Sequence, residues 1–347
     1  MKKIKIAFSD FWPDFDKKNN FILEQLTKIC IVEVVDVENE PDRKSEVEYL
    51  FYSCFSKQYL GFNCIRIFYT GENIIPDFNL CDYAIGFEHM SVGDRYIRYP
   101  LCYANYRSIV KKVEETKSRN RNAGWENRTK FCAMVVSNGS IADPKRDQLY
   151  DDISEYITVD SGGRYRNNIG EPNGVRNKIE FMKDYSFGLA IENVSHPGYC
   201  TEKILDCFAA GVIPIYWGDP LVGNYYNEKA FINVFQYESK QELLAEIKRI
   251  NENPTIKERM MNEYPIKDKY SMAVQDGILY SFLKNIISQE YKSAYRRTPY
   301  GWTHHYEMEI KEKEAAKKEL DAIKTKSNNM VLCRLMRKIR TIKNRWL

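Results

Sequence analysis

One segment, residues 187–220, constrains the fold of this chain more than any other part of the sequence. Residues 187–191 form a short apolar run that breaks into polar, Pro and Gly residues, which is typical of a buried strand entering a loop. Residues 202–210 carry helical periodicity, and Gly211 is the expected end of that helix. Residues 212–216 return as an apolar strand. The segment therefore predicts a β–loop–α–β unit.

The loop of this unit carries polar side chains where an anion would bind. In an open parallel sheet, ligands collect beyond the carboxyl ends of the strands, where helix N-termini present N–H groups and a positive dipole end. Lys203 lies in the first helical turn, where a cation opposes the dipole unless something negative lies between them. Lys203 is either a solvated surface lysine or the partner of a diphosphate. The second reading is favoured because the loop also holds Asn193, Tyr199, Thr201 and Glu202.

The rest of the chain indicates two domains of the same kind. At 347 residues it exceeds what one hydrophobic core usually serves. Apolar strand-like runs alternate with helical segments, and in the first half these runs are residues 3–9, 29–36, 47–52, 64–70 and 83–87. Such alternation favours α/β domains with largely parallel sheets. The polar stretch 111–128 is the best candidate for the boundary between them.

Two further loops hold ionisable side chains at predicted strand ends. Glu88 and His89 directly follow the run 83–87, where a carboxylate or imidazole can reach a substrate across a cleft. The loop 160–168 contains two glycines and two arginines, one of them Arg166. Glycine lets a backbone approach a ligand, and arginine pairs bidentately with phosphate oxygens. This loop is not a Walker or dinucleotide motif, so it supports a phosphate site only together with the loop before Lys203.

Cysteine usage, apolar run lengths and charge placement limit the classes of function. The nine cysteines are odd in number and lack C-x-x-C spacing, which favours free thiols in a reducing compartment. The first apolar run is too short for a signal peptide, and no window reaches the length of a membrane span, so a cytoplasmic protein is expected. The net charge of +4 gives no reason to expect a nucleic-acid partner.

The last eighteen positions, residues 330–347, differ from the rest of the chain. They contain six basic and no acidic residues, and apolar residues recur among them at three- and four-residue steps. This pattern predicts a cationic amphipathic helix. It favours binding to the inner face of the cytoplasmic membrane over docking on a partner or on the body of the protein.

Four stretches of the sequence carry a family resemblance: YTGENIIPDFNLCDYAIGF (69–87), GDRYIRYPL (93–101), VDSGGRYRNN (159–168) and GYCTEKILDCFAAGVIPIYWGDP (198–220). In order and spacing they resemble the bacterial α-1,3-fucosyltransferases of glycosyltransferase family 10. The resemblance implies a GT-B fold, with two Rossmann-like domains facing across a cleft and a C-terminal helical basic tail. The implied parts are an acceptor-binding domain (1–127), a GDP-fucose-binding domain (128–300) and a charged helix with a membrane-associating tail (301–347).

The same resemblance implies an activity and its partners. The expected reaction is an inverting transfer of L-fucose from GDP-fucose to the 3-hydroxyl, or the 4-hydroxyl, of GlcNAc in N-acetyllactosamine-type glycans, which makes Lewis-type structures. The partners are then GDP-fucose and a galactose/N-acetylglucosamine acceptor. No cofactor or obligatory metal is implied, since no D-x-D is placed after a strand in the manner of metal-dependent transferases. A transferase that uses another nucleotide sugar, or a non-catalytic membrane-associated binder of carbohydrate or nucleotide, stays an alternative.

Five residues receive roles in the donor site through the resemblance. Arg166 and Lys203 would neutralise the diphosphate. Asn193 and Tyr199 would hydrogen-bond it, and Glu202 would contact the ribose or the fucose.

The general base is less clear from the sequence. In the family an acidic pair follows the corresponding strand, and its second member, a Glu, is taken as the base. Here Glu88 fills the first position and His89 the second. Either residue can serve as the base, or the base lies elsewhere.

Overall fold

The structure is a computed structural model that describes residues 2–115, 128–139 and 141–343. The side chains of Asn105 and of residues 326–343 lie outside this description. Most of the predicted boundary 111–128 is therefore not covered, and the same holds for the side chains of the predicted membrane-binding tail. Binding of the tail to a membrane stays a prediction from the sequence.

The first half of the chain forms a parallel sheet of six strands. They are β1 (Lys3–Ser9), β2 (Ile31–Val34), β3 (Tyr49–Tyr52), β4 (Ile65–Tyr69), β5 (Tyr83–Gly86) and β6 (Tyr96–Arg98), in the order β2-β1-β3-β4-β5-β6. The helices here are α1 (Phe21–Leu26), α2 (Leu101–Asn105) and α3 (Arg107–Glu115), with 3₁₀ turns at Pro41–Glu46, Gln58–Gly61 and Gly93–Arg95. The five strands predicted in this half are confirmed.

The second half forms a parallel sheet of five strands. They are β7 (Lys130–Met134), β8 (Val159–Ser161), β9 (Tyr185–Ile191), β10 (Ile213–Trp217) and β11 (Ile232–Asn233), in the order β11-β10-β9-β7-β8. The helices are α4 (Lys145–Ser154), α5 (Lys178–Met182), α6 (Lys203–Ala210), α7 (Lys240–Asn251), α8 (Pro254–Asn262), α9 (Met272–Ser288), α10 (Tyr291–Ala294) and α11 (Gly301–Lys343). Further 3₁₀ turns lie at Val222–Asn224, Val234–Gln236 and Asp268–Tyr270.

The predicted β–loop–α–β unit corresponds to β9, α6 and β10. Every residue of β9 is buried because the strand lies between β7 and β10, which explains its continuous apolar sequence. A Cβ on Gly188 would lie 2.5 Å from the sulfur of Cys207, so glycine lets α6 pack closely on the strand. Gly211 ends α6 in the left-handed conformation, with φ of 72°. This end of the helix is confirmed.

The two sheets share one hydrophobic cluster. It contains buried residues of the first sheet, such as Ile6 and Phe51, together with Leu205 of α6 and Tyr216 of β10. Helix α3 of the first half packs directly on α6 of the second half. This packing fixes how the carboxyl ends of the two sheets approach each other.

After α8 the chain returns to the first sheet. Helix α9 packs against α1, α3 and β6. On α9, Asp276 accepts two hydrogen bonds of 2.7 Å from Arg107 and one of 3.0 Å from Tyr99. The segment that contains α9 thus packs against the first sheet, and the assignment of residues 128–300 to the GDP-fucose-binding domain stays a prediction.

A buried ionic cluster attaches α11 to the first sheet. Asp82 is fully buried and accepts hydrogen bonds from the backbone N–H groups of Arg296 and Arg297, both at 2.8 Å. Glu307 of α11 lies 2.9 Å from buried Arg66 and 3.4 Å from buried Arg297. Burial opposes the charge of Glu307, but Arg66 and Lys311 outweigh it and lower the pKa to about 2.

The described cysteines are free thiols, as the sequence predicts. Seven of the eight are buried, and Cys54 is half-buried. Among the described residues, no helix combines the length and the apolar character that crossing a bilayer requires.

We expect Glu307→Ala to lower the free energy of unfolding by about 3–5 kcal/mol, because the buried guanidinium of Arg66 loses its carboxylate and that of Arg297 keeps only Asp82. Denaturant titration measures the change, and Glu309→Ala on the exposed side of α11 is the matched control. Because the folded-state pKa is depressed, the contribution of Glu307 should be complete above about pH 4.5 and disappear as the pH falls to about 2. Equal stability of the two variants would contradict this role.

Candidate active site

Glu192 organises the loop that joins β9 to α6. It directly follows the last residue of β9 and is fully buried. Its carboxylate accepts hydrogen bonds from the backbone N–H of Thr201 and from the Thr201 hydroxyl, both at 2.7 Å. It also accepts a bond of 2.8 Å from the ammonium group of Lys203. One carboxylate therefore closes the loop over nine residues and fixes the first turn of α6.

Lys203 has a carboxylate partner within the protein. Burial opposes its charge, but Glu192 and Glu202 outweigh burial and raise the pKa of the ammonium group. The sequence suggested that a diphosphate would balance this cation at the start of the helix, and in the protein alone Glu192 does so. Lys203 is thus held as a fixed cation before any ligand binds.

Glu202 lies beside two ammonium groups. Its Oε1 is 3.6 Å from the ammonium of Lys178 and 3.8 Å from that of Lys203. Burial opposes ionisation, but these two lysines lower the pKa of Glu202 to about 2. Glu202 therefore carries a negative charge at neutral pH, and it can accept hydrogen bonds from sugar hydroxyl groups.

Arg146 of α4 is a second buried cation at this loop. It donates hydrogen bonds to the side-chain oxygen of Asn193, to the carbonyl of Asn138 at 2.9 Å and to the carbonyl of Glu192 at 3.3 Å. The sequence pointed to Asn193 and missed the role of Arg146, since only the fold brings α4 against the loop. Asn193 is consequently oriented by an arginine.

Arg166 lies in a different environment. Its guanidinium pairs with Asp147 at 3.2 Å and with Asp151, both on α4, and it stacks 4.3 Å from the ring of Tyr150. The structure records no contact between Arg166 and Lys203 among its described residues. The role of Arg166 toward a diphosphate stays a prediction.

The glycines of the same loop have a packing role. A Cβ on Gly163 would lie 1.9 Å from the carbonyl oxygen of Val136, so this backbone packs against the segment that follows β7. The sequence suggested close approach to a ligand as the reason for these glycines. At Gly163 close approach to the protein itself already requires glycine.

Glu88 and His89 both contact the second domain. Oε2 of Glu88 lies 2.5 Å from Nε2 of His196, and Nε2 of His89 lies 2.6 Å from the hydroxyl of Tyr225. Burial, followed by the charge of Arg98, lowers the pKa of His89. The two residues that the sequence named as candidate bases thus form side-chain contacts across the cleft.

The neighbouring backbone also crosses the cleft. Gly198 has a φ of 89°, and a Cβ there would lie 2.5 Å from the carbonyl oxygen of Phe87. Tyr199 is almost completely buried, with its ring edge-to-face on Phe87 at 5.3 Å. These contacts bring the loop after β5 against the loop before α6.

A cavity of about 560 Å³ lies between the two domains. Trp12, Phe55 and Glu72 of the first domain line it, together with Thr201 and Glu202 of the second. Neither Glu88 nor His89 is among its lining residues. A larger cavity of about 820 Å³ lies between α11 and the first sheet, away from Lys203.

Glu72 is a functional candidate that the sequence reading missed. It follows β4, in the loop at the carboxyl end of that strand, and shares the cavity with Glu202. Among the described residues, no hydrogen bond or ion pair engages its carboxylate. A signal was present in the sequence, because Glu72 lies only two positions after the predicted strand 64–70.

The described residues contain no group of three or more His, Cys, Asp or Glu side chains that could hold a metal ion. Asp151 and Asp152 lie inside α4. The expectation that no metal is needed stays a prediction.

Two parallel sheets with packed helices that face each other across a cleft are the architecture of a GT-B glycosyltransferase. A solved α1,3-fucosyltransferase with GDP matches 86% of this chain and 93% of its own chain, with a TM-score of 0.71 and 29% identity. A solved α1,3-fucosyltransferase with GDP-fucose matches 83% of this chain and 91% of its own chain, with a TM-score of 0.69 and 29% identity. The predicted GT-B fold is confirmed.

Sequence comparisons identify the family. The model for the N-terminal domain of α-(1,3)-fucosyltransferase FucT matches residues 6–106, and the model for the C-terminal part of glycosyltransferase family 10 (fucosyltransferase) matches residues 125–277. The α-(1,3)-fucosyltransferase FucT of Helicobacter pylori is 31% identical over 297 residues, which is 76% of this chain and 60% of that protein. The chain belongs to the fucosyltransferases of glycosyltransferase family 10. It spans about three fifths of the length of the Helicobacter relative.

We expect Glu192→Gln to weaken GDP binding by about tenfold at alkaline pH, because the pKa of Lys203 falls when its main carboxylate is removed. The raised pKa keeps Lys203 charged in the native protein, so we expect its charge to stop contributing to GDP binding only at high pH. In the variant the pKa is lower, so we expect GDP binding to weaken at a lower pH. Calorimetric titration with GDP between about pH 6 and pH 10 measures this shift.

Glu180→Gln, which removes an exposed carboxylate on α5, is the matched control. The same pH dependence of GDP binding in both variants would show that Glu192 does not set the charge of Lys203.

Proposed function

We propose that this chain transfers L-fucose from GDP-fucose to a hydroxyl group of an acceptor glycan, with inversion at the anomeric carbon. The observation that carries the proposal is the fixed cation Lys203, held by Glu192 beside a cavity that both domains line. Solved relatives of the same fold contain GDP or GDP-fucose, which supports this donor. We further propose an N-acetyllactosamine-type acceptor and Lewis-type products.

The donor half of the reaction depends on charge. When the bond to the anomeric carbon breaks, negative charge accumulates on the departing diphosphate, and fixed cations stabilise it most when they need not reorganise. Lys203 satisfies this condition because Glu192 and Thr201 hold its ammonium group. In this scheme Asn193 and Tyr199 hydrogen-bond the diphosphate, Arg166 adds a second positive charge, and Glu202 contacts the ribose or the fucose.

The acceptor half needs a base that removes the hydroxyl proton. Glu88 and His89 are the candidates from the sequence, and each contacts a side chain of the second domain. Glu72 instead lines the cavity beside Glu202, where an acceptor hydroxyl could approach the fucose. We therefore favour Glu72 as the base, with Glu88 and His89 holding the cleft together.

The proposed activity is tested with purified protein, GDP-fucose and N-acetyllactosamine. We expect GDP to be released only when both substrates are present, in buffer that contains excess EDTA, and fucose to be found on the GlcNAc 3-hydroxyl. A donor panel with GDP-mannose and UDP-sugars tests the alternative of another nucleotide sugar. GDP-fucose hydrolysis independent of acceptor, or activity that requires added divalent metal, would contradict the proposal in its present form.

Substitution of Glu72, Glu88 and His89 in turn tests which of the three is the general base. We expect Glu72→Gln to lower kcat by about a hundredfold or more, because a general base contributes that much to proton transfer. Binding of GDP-fucose should be retained. Glu88→Gln and His89→Ala, measured as matched variants over the same pH range, should keep the acidic limb of the pH–rate profile. Near-normal turnover of Glu72→Gln, with loss of that limb in either other variant, would assign the base to the loop after β5.

A further inference from the structure

The walls of the interdomain cavity combine aromatic rings with carboxylates. Its aromatic walls include Trp12, Phe15, Phe21 and Phe55. Four carboxylates line the same space: Asp14, Asp16, Glu72 and Glu202. No lysine, arginine or histidine is found among its described lining residues. The cavity is therefore apolar and negatively charged, in contrast to the loop that holds Lys203.

Of the four carboxylates, Glu202 is partly compensated by Lys178 at 3.6 Å and Lys203 at 3.8 Å, whereas no ion pair among the described residues compensates the other three. Within the described part of the chain, the carboxylates of Asp14 and Glu72 make no hydrogen bond or ion pair. Asp16 accepts hydrogen bonds from two backbone N–H groups, at 2.8 and 3.1 Å, which leave its charge in place. The nearest lysine in sequence, Lys17, is paired with Glu38 at 2.7 Å.

We propose that this cavity restricts the acceptor to uncharged glycans and excludes acceptors that carry a sulfate, a carboxylate or a phosphate near the reacting hydroxyl. This inference rests on the proposed function. Aromatic faces pack against the apolar faces of sugar rings, and carboxylates accept hydrogen bonds from sugar hydroxyl groups. Both interactions stabilise a bound neutral glycan. An anionic group in the same space is repelled by the carboxylates of Asp14, Asp16 and Glu72.

The expected preference for neutral over anionic acceptors follows from the repulsion between an anionic group and the carboxylates of the cavity. Two like charges about 6–12 Å apart, at an effective dielectric constant of about 20 near a protein surface, disfavour binding by about tenfold to a hundredfold. Added salt screens exposed charges, so the discrimination should decrease as ionic strength rises. Lys178 and Lys203 offset only the charge of Glu202, and Lys203 is also held by Glu192, so the repulsion from Asp14, Asp16 and Glu72 is kept.

The test compares two acceptors that differ by one sulfate group, N-acetyllactosamine and its 3′-sulfated form, and ionic strength separates the effect of charge from that of size. We expect kcat/KM to be at least about tenfold higher for the neutral acceptor at low ionic strength, with a smaller ratio at high ionic strength. Asp14→Asn should reduce the ratio, and because Asp14 is exposed the substitution should not disturb folding. Asp42→Asn, at an exposed carboxylate in the 3₁₀ turn Pro41–Glu46, should leave the ratio unchanged.

Equal kcat/KM values for the two acceptors would overturn the inference and leave fucose transfer intact. A ratio that is high but identical in Asp14→Asn and at every ionic strength would also overturn it, because exclusion would then be steric. No transfer to either acceptor, while GDP-fucose still binds, would overturn the proposed function and this inference with it.

Discussion

The buried carboxylate of Glu192 is the interaction on which the rest of the site depends. It ends the central strand of the second sheet and binds both Thr201 and Lys203, so it sets the loop and the first turn of α6 together. A buried carboxylate without partners would be strongly unfavourable, and a cation in the first turn of a helix would be unfavourable too. Each of these two groups stabilises the other. The result is a positively charged position that is fixed before a ligand arrives.

The site also requires that the carboxyl ends of the strands in the two sheets face each other. A shared hydrophobic cluster, the packing of α3 on α6 and the return of α9 to the first sheet all fix this relation. Two side-chain contacts at the cleft also hold the domains together, one between Glu88 and His196 and one between His89 and Tyr225. The cavity beside Glu202 owes its shape to both domains, and its charge comes mostly from the first. The cleft therefore holds the paired cation Lys203 on one side and the carboxylates of Asp14, Asp16 and Glu72 on the other.

Much of the fold could be predicted from the sequence because the patterns that indicate strands and helix ends are local. The apolar runs of the strands and the glycine that ends α6, Gly211, are each read within a few residues. The partners of Lys203 and Asn193 could not be predicted in this way. Arg146 reaches Asn193 from a helix 47 positions earlier in the chain, and no local pattern records that contact. Glu72 was visible as a strand-end carboxylate, but only the meeting of two domains distinguishes it from Glu88.

We propose that the start of α6 binds the donor diphosphate and that the adjoining cavity binds the acceptor. A crystal structure of the protein with GDP and a neutral N-acetyllactosamine acceptor tests this arrangement. We expect a diphosphate oxygen within about 3 Å of the Lys203 ammonium, with the bond to Glu192 kept, and an acceptor hydroxyl at a similar distance from Glu72. A diphosphate bound away from α6, or an acceptor hydroxyl held by Glu88 or His89 instead, would contradict it.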